Sequence, residues 1–175
     1  ILGGAMLGKS IVILGGGTIG LMVLQACKSL GATDITVVDV LNKRLELAKK
    51  LGASRVINGK EEDTVALLRS EELYGDHGVD LVFEAAGSVF TAQQAVQIVA
   101  RGGKIMMVGT QSKPVPIDFL KINREVTIQT SFRYCNNFPQ TIEAIASGKF
   151  NVKDMVTHIY DYKDVQQAFE DAIDP

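Results

Sequence analysis

The sequence has few of the residues from which disulfide scaffolds and metal sites are built. It contains two cysteines, Cys27 and Cys135, and two histidines, His77 and His158, in 175 residues. Two cysteines are too few for a disulfide scaffold, and the sequence has no CxxC, HxxxH or comparable pair. No Ser-His-Asp set or paired-carboxylate site stands out either. We therefore assign no catalytic residue and no metal ligand to this chain.

Each of these four side chains has an ordinary structural explanation. Cys27 follows Ile19 by eight residues, a helical spacing that predicts a core position on the buried face of the first helix. His77 lies in a turn-like stretch and is predicted to face solvent. His158 borders a strand-like segment, where a structural role is expected. Nothing near Cys135 marks it as a nucleophile.

The sequence also lacks a large excess of charge and a long apolar run. The formal net charge is −2, so no broad basic face indicates a nucleic-acid or acidic-membrane partner. No run approaches about eighteen continuous apolar residues, and no signal peptide opens the chain. We predict a soluble, cytoplasmic protein with one good core. Because the chain begins at Ile1 without an initiator methionine, we also expect it to be a piece of a longer protein.

Short β-branched runs alternate with amphipathic segments over the first three quarters of the chain, a pattern typical of βαβ units and a parallel sheet. The predicted strands lie near 11–14, 35–38, 55–57, 79–83, 104–108 and 125–130. The predicted helices lie near 18–30, 42–51, 62–73, 90–100 and 118–122. This order indicates an α/β protein with a Rossmann-type, doubly wound, parallel six-stranded sheet and helices on both faces, whose ligand crevice opens at the carboxyl ends of the strands.

The pattern changes beyond residue 134. We predict a helix near 138–147 that ends at a glycine cap, a short segment from Val156 to Tyr160, and a helix over 163–173. An apolar stripe on the last helix needs an apolar partner; it consists of Val165, Ala168, Phe169, Ala172 and Ile173. We therefore divide the chain into a cofactor-binding domain, 1–134, and a C-terminal helical extension, 135–175.

A glycine-rich stretch follows the first predicted strand and opens the first predicted helix. Gly15 permits a sharp turn, Gly17 lacks the Cβ that would block a pyrophosphate, and Gly20 permits close packing of helix on sheet. The first-turn amides, including those of Thr18 and Ile19, have no helical acceptor and favour phosphate binding. The alternative is that the three glycines merely form a tight turn.

An acid at the end of the second predicted strand indicates that the glycine-rich stretch binds a dinucleotide. Asp39 stands nineteen residues after Gly20 and suits hydrogen bonds to the adenosine ribose of NAD. The ribose phosphate of NADP would face it as a like charge, which costs about 4 kcal/mol at about 4 Å and an effective dielectric constant near 20. Lys43 and Arg44 leave NADP open, because either side chain can neutralise that phosphate. Arg44 can equally cover the adenine or pair with Asp39.

Small residues end two further predicted strands at the same edge of the sheet. They are Ala85, Ala86 and Gly87 after the fourth strand, and Val108, Gly109 and Thr110 after the fifth. Small residues let a ligand lie directly on the backbone, although ordinary turns also need such room. Arg133, just past the sixth strand, is either a cofactor contact or a solvated surface arginine.

Several segments together resemble the nucleotide-binding domain of the medium-chain, zinc-type alcohol and polyol dehydrogenases, most closely the sorbitol (iditol) dehydrogenases. They are GGGTIGL at 15–21, VDVLNKRLELAKKLGA at 38–53, GGKIMMVG at 102–109, SFRYCN at 131–136, SGK at 147–149, VTH at 156–158 and AFE at 168–170. The first two are common among dehydrogenases, whereas FRYCN followed by SGK and VTH is much narrower.

The resemblance implies properties that the residues alone do not give. Phe132 and Arg133 are expected near the nicotinamide half of NAD. The catalytic zinc and its ligands are expected in an N-terminal domain that this chain lacks, so the isolated chain is expected to be inactive. The extension is expected to pack at the junction with that domain. The parent protein is expected to be a homodimer or homotetramer that acts on a small alcohol or polyol.

Two other classes of function remain open from the sequence. A methyltransferase that uses S-adenosylmethionine also has a glycine-rich first loop and an acid after its second strand, but the third glycine suits a pyrophosphate better. The other class is a non-catalytic module that senses NAD.

Overall fold

The structure, a computed structural model, describes residues 3–122, 124–134 and 136–173. Its strands are β1 (Ser10–Leu14), β2 (Asp34–Asp39), β3 (Arg55–Asn58), β4 (Val79–Glu84), β5 (Val99–Met107) and β6 (Thr127–Thr130). Its α-helices are α1 (Thr18–Ser29), α2 (Asn42–Lys50), α3 (Thr64–Leu68), α4 (Val89–Ile98), α5 (Phe119–Ile122), α6 (Phe138–Ala146) and α7 (Val165–Ile173). Within these ranges, no helix has the length and apolar character needed to cross a membrane.

All six strands are parallel and lie in the order β3-β2-β1-β4-β5-β6. The chain moves outward from β1 to β3 and then returns to place β4 on the other side of β1. The strand order therefore reverses between β1 and β4, which is where doubly wound sheets bind their ligands. The predicted fold class is confirmed.

Strands β1, β2 and β4 are buried on both faces because their side chains alternate between two apolar cores. Ile11 and Ile13 of β1 point into the first core, which α1 and α2 cover. Val12 and Leu14 point into the second core, which α3 and α4 cover. The side chains of these four residues of β1 are completely buried. Because both faces of these strands are covered, the carboxyl edge is the part of the sheet that remains accessible to a ligand.

The carboxyl ends of the strands are level with one another. Leu14 pairs with Glu84 on β4, and Asp39 on β2 pairs with Asn58 on β3. On the other side, Glu84 pairs with Met107 on β5. The loops that follow these strands consequently meet at one edge, as the sequence pattern predicts.

The helix predicted over 62–73 is much shorter in the structure and covers Thr64–Leu68 only. After it, the chain folds into turns that the Arg69 side chain holds, since its guanidinium donates to the carbonyls of Gly75 and Asp76. These turns bring the Tyr74 hydroxyl to Thr36 on β2. Tertiary contacts of Arg69 and Tyr74 therefore override the helical periodicity.

The helix predicted over 90–100 ends at Ile98, and β5 begins at once with Val99 rather than near 104. Val99 has extended backbone angles and pairs with Val79, and the register then shifts before Leu81. Gly102 has φ +65° within this irregular stretch. A β-branched residue at the helix end and a glycine-permitted bulge thus lengthen the strand.

The extension after β6 contains α6, two short 3₁₀ turns and α7. Gly148 has φ +73° just past α6, as the predicted cap requires. The segment from Val156 to Tyr160, expected to be strand-like, has no regular secondary structure.

The buried Gln25 ties the extension to α1. Its Oε1 accepts from the Asn151 amide at 2.6 Å, and its Nε2 donates to the Asn151 carbonyl at 3.3 Å. Among the described residues, the two largest side chains of the stripe on α7 are left uncovered: Val165 is 49% exposed and Phe169 is 68% exposed. The side chain of Ile173 lies outside the described part.

Candidate functional site

The loop between β1 and α1 lies against the loop after β4. Gly15 has φ +107°, a region that favours glycine. A Cβ on Gly15 would lie 2.8 Å from the Ala86 amide nitrogen, and one on Gly20 would lie 1.8 Å from the Gly15 carbonyl oxygen. Glycine at position 15 therefore lets the turn after β1 lie directly against the loop after β4, and glycine at position 20 lets α1 lie directly against that turn.

The N-terminus of α1 opens at the crevice with unused hydrogen-bond donors. Gly17 is the N-cap residue and has no side chain to cap the first turn. Within the described ranges, no oxygen accepts from the amides of Thr18 or Ile19, and both residues are exposed. A Cβ on Gly17 would meet no atom within 4 Å. Donors, a helix dipole and free space together suit an anionic ligand such as a pyrophosphate.

Asp39, at the end of β2, is buried beside the same loop. Its Oδ2 accepts from the Gly16 amide at 2.7 Å, and its Oδ1 accepts from the amides of Val40 and Leu41 at 2.8 and 2.9 Å. Only 5% of its side chain is exposed. The carboxylate thus fixes the glycine loop relative to β2 in addition to presenting negative charge at the crevice.

Arg44 pairs with that carboxylate. Its Nη1 lies 3.6 Å from Oδ2 of Asp39, and its side chain is 39% exposed. Of the orientations that the sequence left open for Arg44, the structure has the ion pair with Asp39. Lys43 is exposed on the same helix.

The loops after β4 and β5 touch through glycines. A Cβ on Gly87, which has φ +70°, would lie 2.8 Å from the Thr110 carbonyl oxygen. A Cβ on Gly109 would lie 2.4 Å from the Gly87 amide nitrogen. The predicted small residues therefore do form one continuous surface with the glycine loop, since Ala86 contacts Gly15.

A fully buried carboxylate lies beneath these loops. Oε1 of Glu84 accepts from the amides of Ala86 and Gly87 at 3.0 and 2.9 Å and from the Thr91 hydroxyl at 2.8 Å. Its Oε2 accepts from Nε2 of Gln111 at 2.8 Å. Four donors around one side chain match the acceptor-only chemistry of a carboxylate.

Phe132 and Arg133 follow β6 and contact each other. The Arg133 guanidinium carbon lies 4.8 Å from the centre of the Phe132 ring. Arg133 has φ +58°, and Phe132 is 78% exposed. The preceding Ser131 is tied to the sheet by a hydrogen bond from its amide to the Met107 carbonyl.

A family model described as zinc-binding dehydrogenase matches residues 18–147. The chain belongs to this family. It is 64% identical over 95% of its length to the uncharacterized zinc-type alcohol dehydrogenase-like protein YdjJ of Escherichia coli, and 41% identical over 95% to sorbitol dehydrogenase of Bacillus subtilis. It covers 47% of each of these proteins.

A solved structure agrees with this assignment. It is the crystal structure of ECK1772 of Escherichia coli, an oxidoreductase/dehydrogenase of unknown specificity, to which the chain is 62% identical with a TM-score of 0.94. The match covers 99% of this chain and 49% of that one. The chain therefore spans about half the length of the relatives it matches, and its fold is the dinucleotide-binding domain of the zinc-binding dehydrogenase family.

The residues considered for metal binding and nucleophilic chemistry are dispersed. Within the described ranges, no three His, Cys, Asp or Glu side chains are grouped to hold a metal ion. Cys27 is buried in the first core, and the His77 side chain is 72% exposed, as predicted for both. His158 is exposed and stacks on Tyr160, with ring centroids 6.0 Å apart. Cys135 lies outside the described residues.

Sequence reasoning missed three contributors to this site. Glu84 and Gly16 belonged to recognised turns but had no assigned role, and Gln111 was not considered. The available signal was Glu84 itself, because an acid at the end of an otherwise apolar strand repeats the arrangement of Asp39 on β2. Gln111 and the Gly16 amide carry no comparable pattern.

Proposed function

We propose that this chain binds NAD(H) in preference to NADP(H) and positions it for hydride transfer in a zinc-dependent alcohol or polyol dehydrogenase. The observation that carries the proposal is the uncapped N-terminus of α1 beside the buried carboxylate of Asp39. The bound cofactor supplies the hydride acceptor or donor. The amides of Thr18 and Ile19 would hold the pyrophosphate.

The preference for NAD(H) rests on the charge at the end of β2. Asp39 is held in place by three backbone amides, so it cannot turn away from a second negative charge without breaking those bonds. Arg44 offsets part of the charge, but it is already engaged with Asp39. A ribose phosphate would therefore compete with Asp39 for Arg44, whereas ribose hydroxyls would donate to the carboxylate.

The remaining predicted cofactor residues lie on the other side of β1. The backbone from Ala85 to Gly87 and from Val108 to Thr110 would support the nicotinamide half, with Phe132 and Arg133 at its outer end. The contacts between the β4 and β5 loops support this, because they form a single floor at the carboxyl edge of the sheet.

The rest of the enzyme belongs to the proposal as well. The matched relatives are about twice as long as this chain, so we place the catalytic zinc and the substrate pocket in their other half. The chain alone would then turn over no substrate. The name of the Bacillus relative, sorbitol dehydrogenase, supports a polyol or another secondary alcohol as substrate. That the whole protein is a cytoplasmic homodimer or homotetramer is proposed from the family resemblance alone.

We further propose that the extension, 135–175, packs against that other half. Its exposed apolar residues support this assignment, since they include Phe138 and Ile142 on α6 and Phe169 on α7. Phe138 and Ile142 stand four residues apart on α6 and therefore share one face of it, and exposed apolar faces of this kind are typical of interaction sites.

Cofactor titrations of the wild-type chain and two aspartate variants test the proposal. We expect the wild-type chain to bind NADH at least about tenfold more tightly than NADPH, which corresponds to about 1.4 kcal/mol. Asp39→Asn removes the charge and should narrow that ratio. Asp34→Asn, at the opposite end of the same strand and paired with Arg55, should leave it unchanged.

Calorimetric or fluorescence dissociation constants provide the readout. Absence of NADH binding by the wild-type chain, or stronger thermal stabilisation by S-adenosylmethionine than by NADH, would reject the proposal. Redox turnover of a polyol by the purified, zinc-supplemented chain would reject the assignment of the chemistry to the other half.

A further inference from the structure

We propose that Glu84 is a positioning residue, which holds the loop after β4 in the shape that receives the nicotinamide half of the cofactor. This role rests on the proposed function, because it requires a dinucleotide in the crevice. Glu84 would not touch the reacting atoms. It would act through the backbone of Ala86 and Gly87, whose amides it binds from below.

The burial of Glu84 distinguishes it from an ordinary turn residue. Its side chain has no measurable exposure, and burying a carboxylate is costly unless its hydrogen bonds are made. Those bonds go to the loop and to the first turn of α4, where Thr91 donates its hydroxyl. A single side chain thereby sets the position of the loop relative to both the strand and the helix.

The contacts of the loop leave it little freedom to compensate. Ala86 lies against Gly15 of the glycine loop, and Gly87 lies against the Thr110 carbonyl. A Cβ on Gly109 would lie only 2.7 Å from Oε2 of Glu84 itself. Loss of the acceptor at Glu84 would leave the amides of Ala86 and Gly87 without a partner. Any shift of the loop that finds them a new partner would alter a surface that is packed to backbone distance on both sides.

The order of the strands in the sheet determines which half of the cofactor would lose contacts when Glu84 is replaced. The adenosine side is defined by Asp39 on β2, and the pyrophosphate side by the N-terminus of α1. The loops after β4 and β5 lie on the opposite side of β1. A displacement at Glu84 should therefore weaken contacts to the nicotinamide half and spare the ADP-ribose half.

Gln111 makes the replacement by glutamine informative. Its Nε2 donates to Glu84, while its Oε1 is buried without a partner in the described structure. In Glu84→Gln, the new carbonyl can keep the bonds from Ala86 and Gly87. The new amide can then donate to Oε1 of a rotated Gln111 side chain. Glu84→Gln therefore keeps the oxygen that accepts from the amides of Ala86 and Gly87, and it serves as the conservative control substitution.

The test compares the dissociation constants of NADH and ADP-ribose for the 175-residue chain and its variants. Glu84→Met keeps the approximate volume but removes both acceptors, and should raise the Kd of NADH about tenfold while that of ADP-ribose changes less than about twofold. Glu84→Gln should keep both values within about threefold of wild type. Asp63→Ala removes a distant helix cap, on α3, and should leave the ratio of the two values unchanged despite lower stability.

If Glu84→Met does not fold, a milder variant tests whether Glu84 positions the loop after β4. Thr91→Val keeps the shape of the side chain, removes one donor to Oε1, and should raise the Kd of NADH about threefold with no change for ADP-ribose. Equal changes for the two ligands, or no change for either, would overturn the positioning role while leaving NAD binding intact. Failure of the wild-type chain to bind either ligand would remove the proposed function, and this role with it.

Discussion

Replacing Gly20 by alanine tests the geometry on which the candidate site depends. The added Cβ would lie 1.8 Å from the Gly15 carbonyl oxygen, whereas ordinary contact begins near 3.4 Å. The N-terminus of α1 must therefore retreat by about 1.6 Å. The obstacle is the backbone carbonyl group of Gly15, so no side-chain rotation can relieve the contact.

The cost of this retreat combines two opposing effects. Overpacking of this kind costs about 1–3 kcal/mol, and the upper value applies where the obstacle is rigid backbone. Alanine in place of glycine in a helix returns about 1 kcal/mol. A net loss of about 2 kcal/mol corresponds to a decrease in Tm of about 4–8 °C for a chain of this size.

The same retreat would break the bonds proposed to hold the pyrophosphate. An amide moved by about 1.6 Å from an acceptor lies beyond hydrogen-bond distance. Hydrogen bonds to charged groups are worth about 1.5–3 kcal/mol each. Loss of even one predicts at least a tenfold weaker affinity for NADH.

Gly17→Ala provides the matched comparison. Gly17 has φ −71° and ψ −173°, an extended conformation open to any residue, and a Cβ there meets no protein atom. Loss of glycine at the cap should cost about 0.5 kcal/mol. The Cβ would instead occupy the space assigned to the pyrophosphate, so NADH binding should be lost while Tm falls by only about 1–2 °C.

Thermal unfolding and calorimetric titration of both variants separate the two effects. We expect Gly20→Ala to lose stability and affinity together, and Gly17→Ala to lose affinity almost alone. An unchanged Tm for Gly20→Ala would show that α1 does not pack on the glycine loop as described. Wild-type affinity in Gly17→Ala would show that the phosphates bind elsewhere.

Two further predictions concern buried groups outside the crevice. Burial raises the pKa of the Cys27 thiol from 9.0 to about 11, so the folded state keeps a proton that the unfolded chain releases, and the free energy of unfolding should fall between pH 9.0 and about 11. Urea titrations at pH 8 and pH 10 should show a fall about 1 kcal/mol larger for wild type than for Cys27→Ala, and equal falls would contradict the burial of the thiol. Gln25→Ala removes the hydrogen bonds to Asn151 and should therefore speed tryptic cleavage after Lys149 and Lys153. The control Gln166→Ala, on the exposed helix α7, should leave the rate of cleavage unchanged. An unchanged rate in Gln25→Ala would refute the anchoring role of Gln25.

The fold was accessible from the sequence because its signals are local. A buried parallel strand is a short β-branched run, and Gly15, Gly17 and Gly20 stand at the positions that a tight strand-to-helix turn requires. The family follows from longer matching segments. The sequence also predicted that Asp39 lies at the same edge of the sheet as the glycine loop, because the carboxyl ends of parallel strands meet at one edge.

What the sequence did not reveal depends on partners distant along the chain. The early end of α3 arises from Arg69 and Tyr74, whose partners lie on other elements. The early start of β5 depends on pairing of Val99 with Val79. One of the four donors to Glu84 is Gln111, twenty-seven residues later. No periodicity encodes such contacts.

The extension combines a fixed attachment with an uncovered face, and this combination has a physical consequence. Gln25 and the ion pair between Lys50 and Asp154, at 3.1 Å, tie the segment around Asn151 to α1 and α2. The exposed ion pair contributes little, so the bonds of Gln25 and the packing of Met155 against the first core hold the segment more strongly than the ion pair does. Because this anchor is only fourteen residues before Val165, it restricts where α7 can lie. A partner that covers Phe169 then binds a surface already held near the sheet, and less ordering entropy is lost on association than for a free tail.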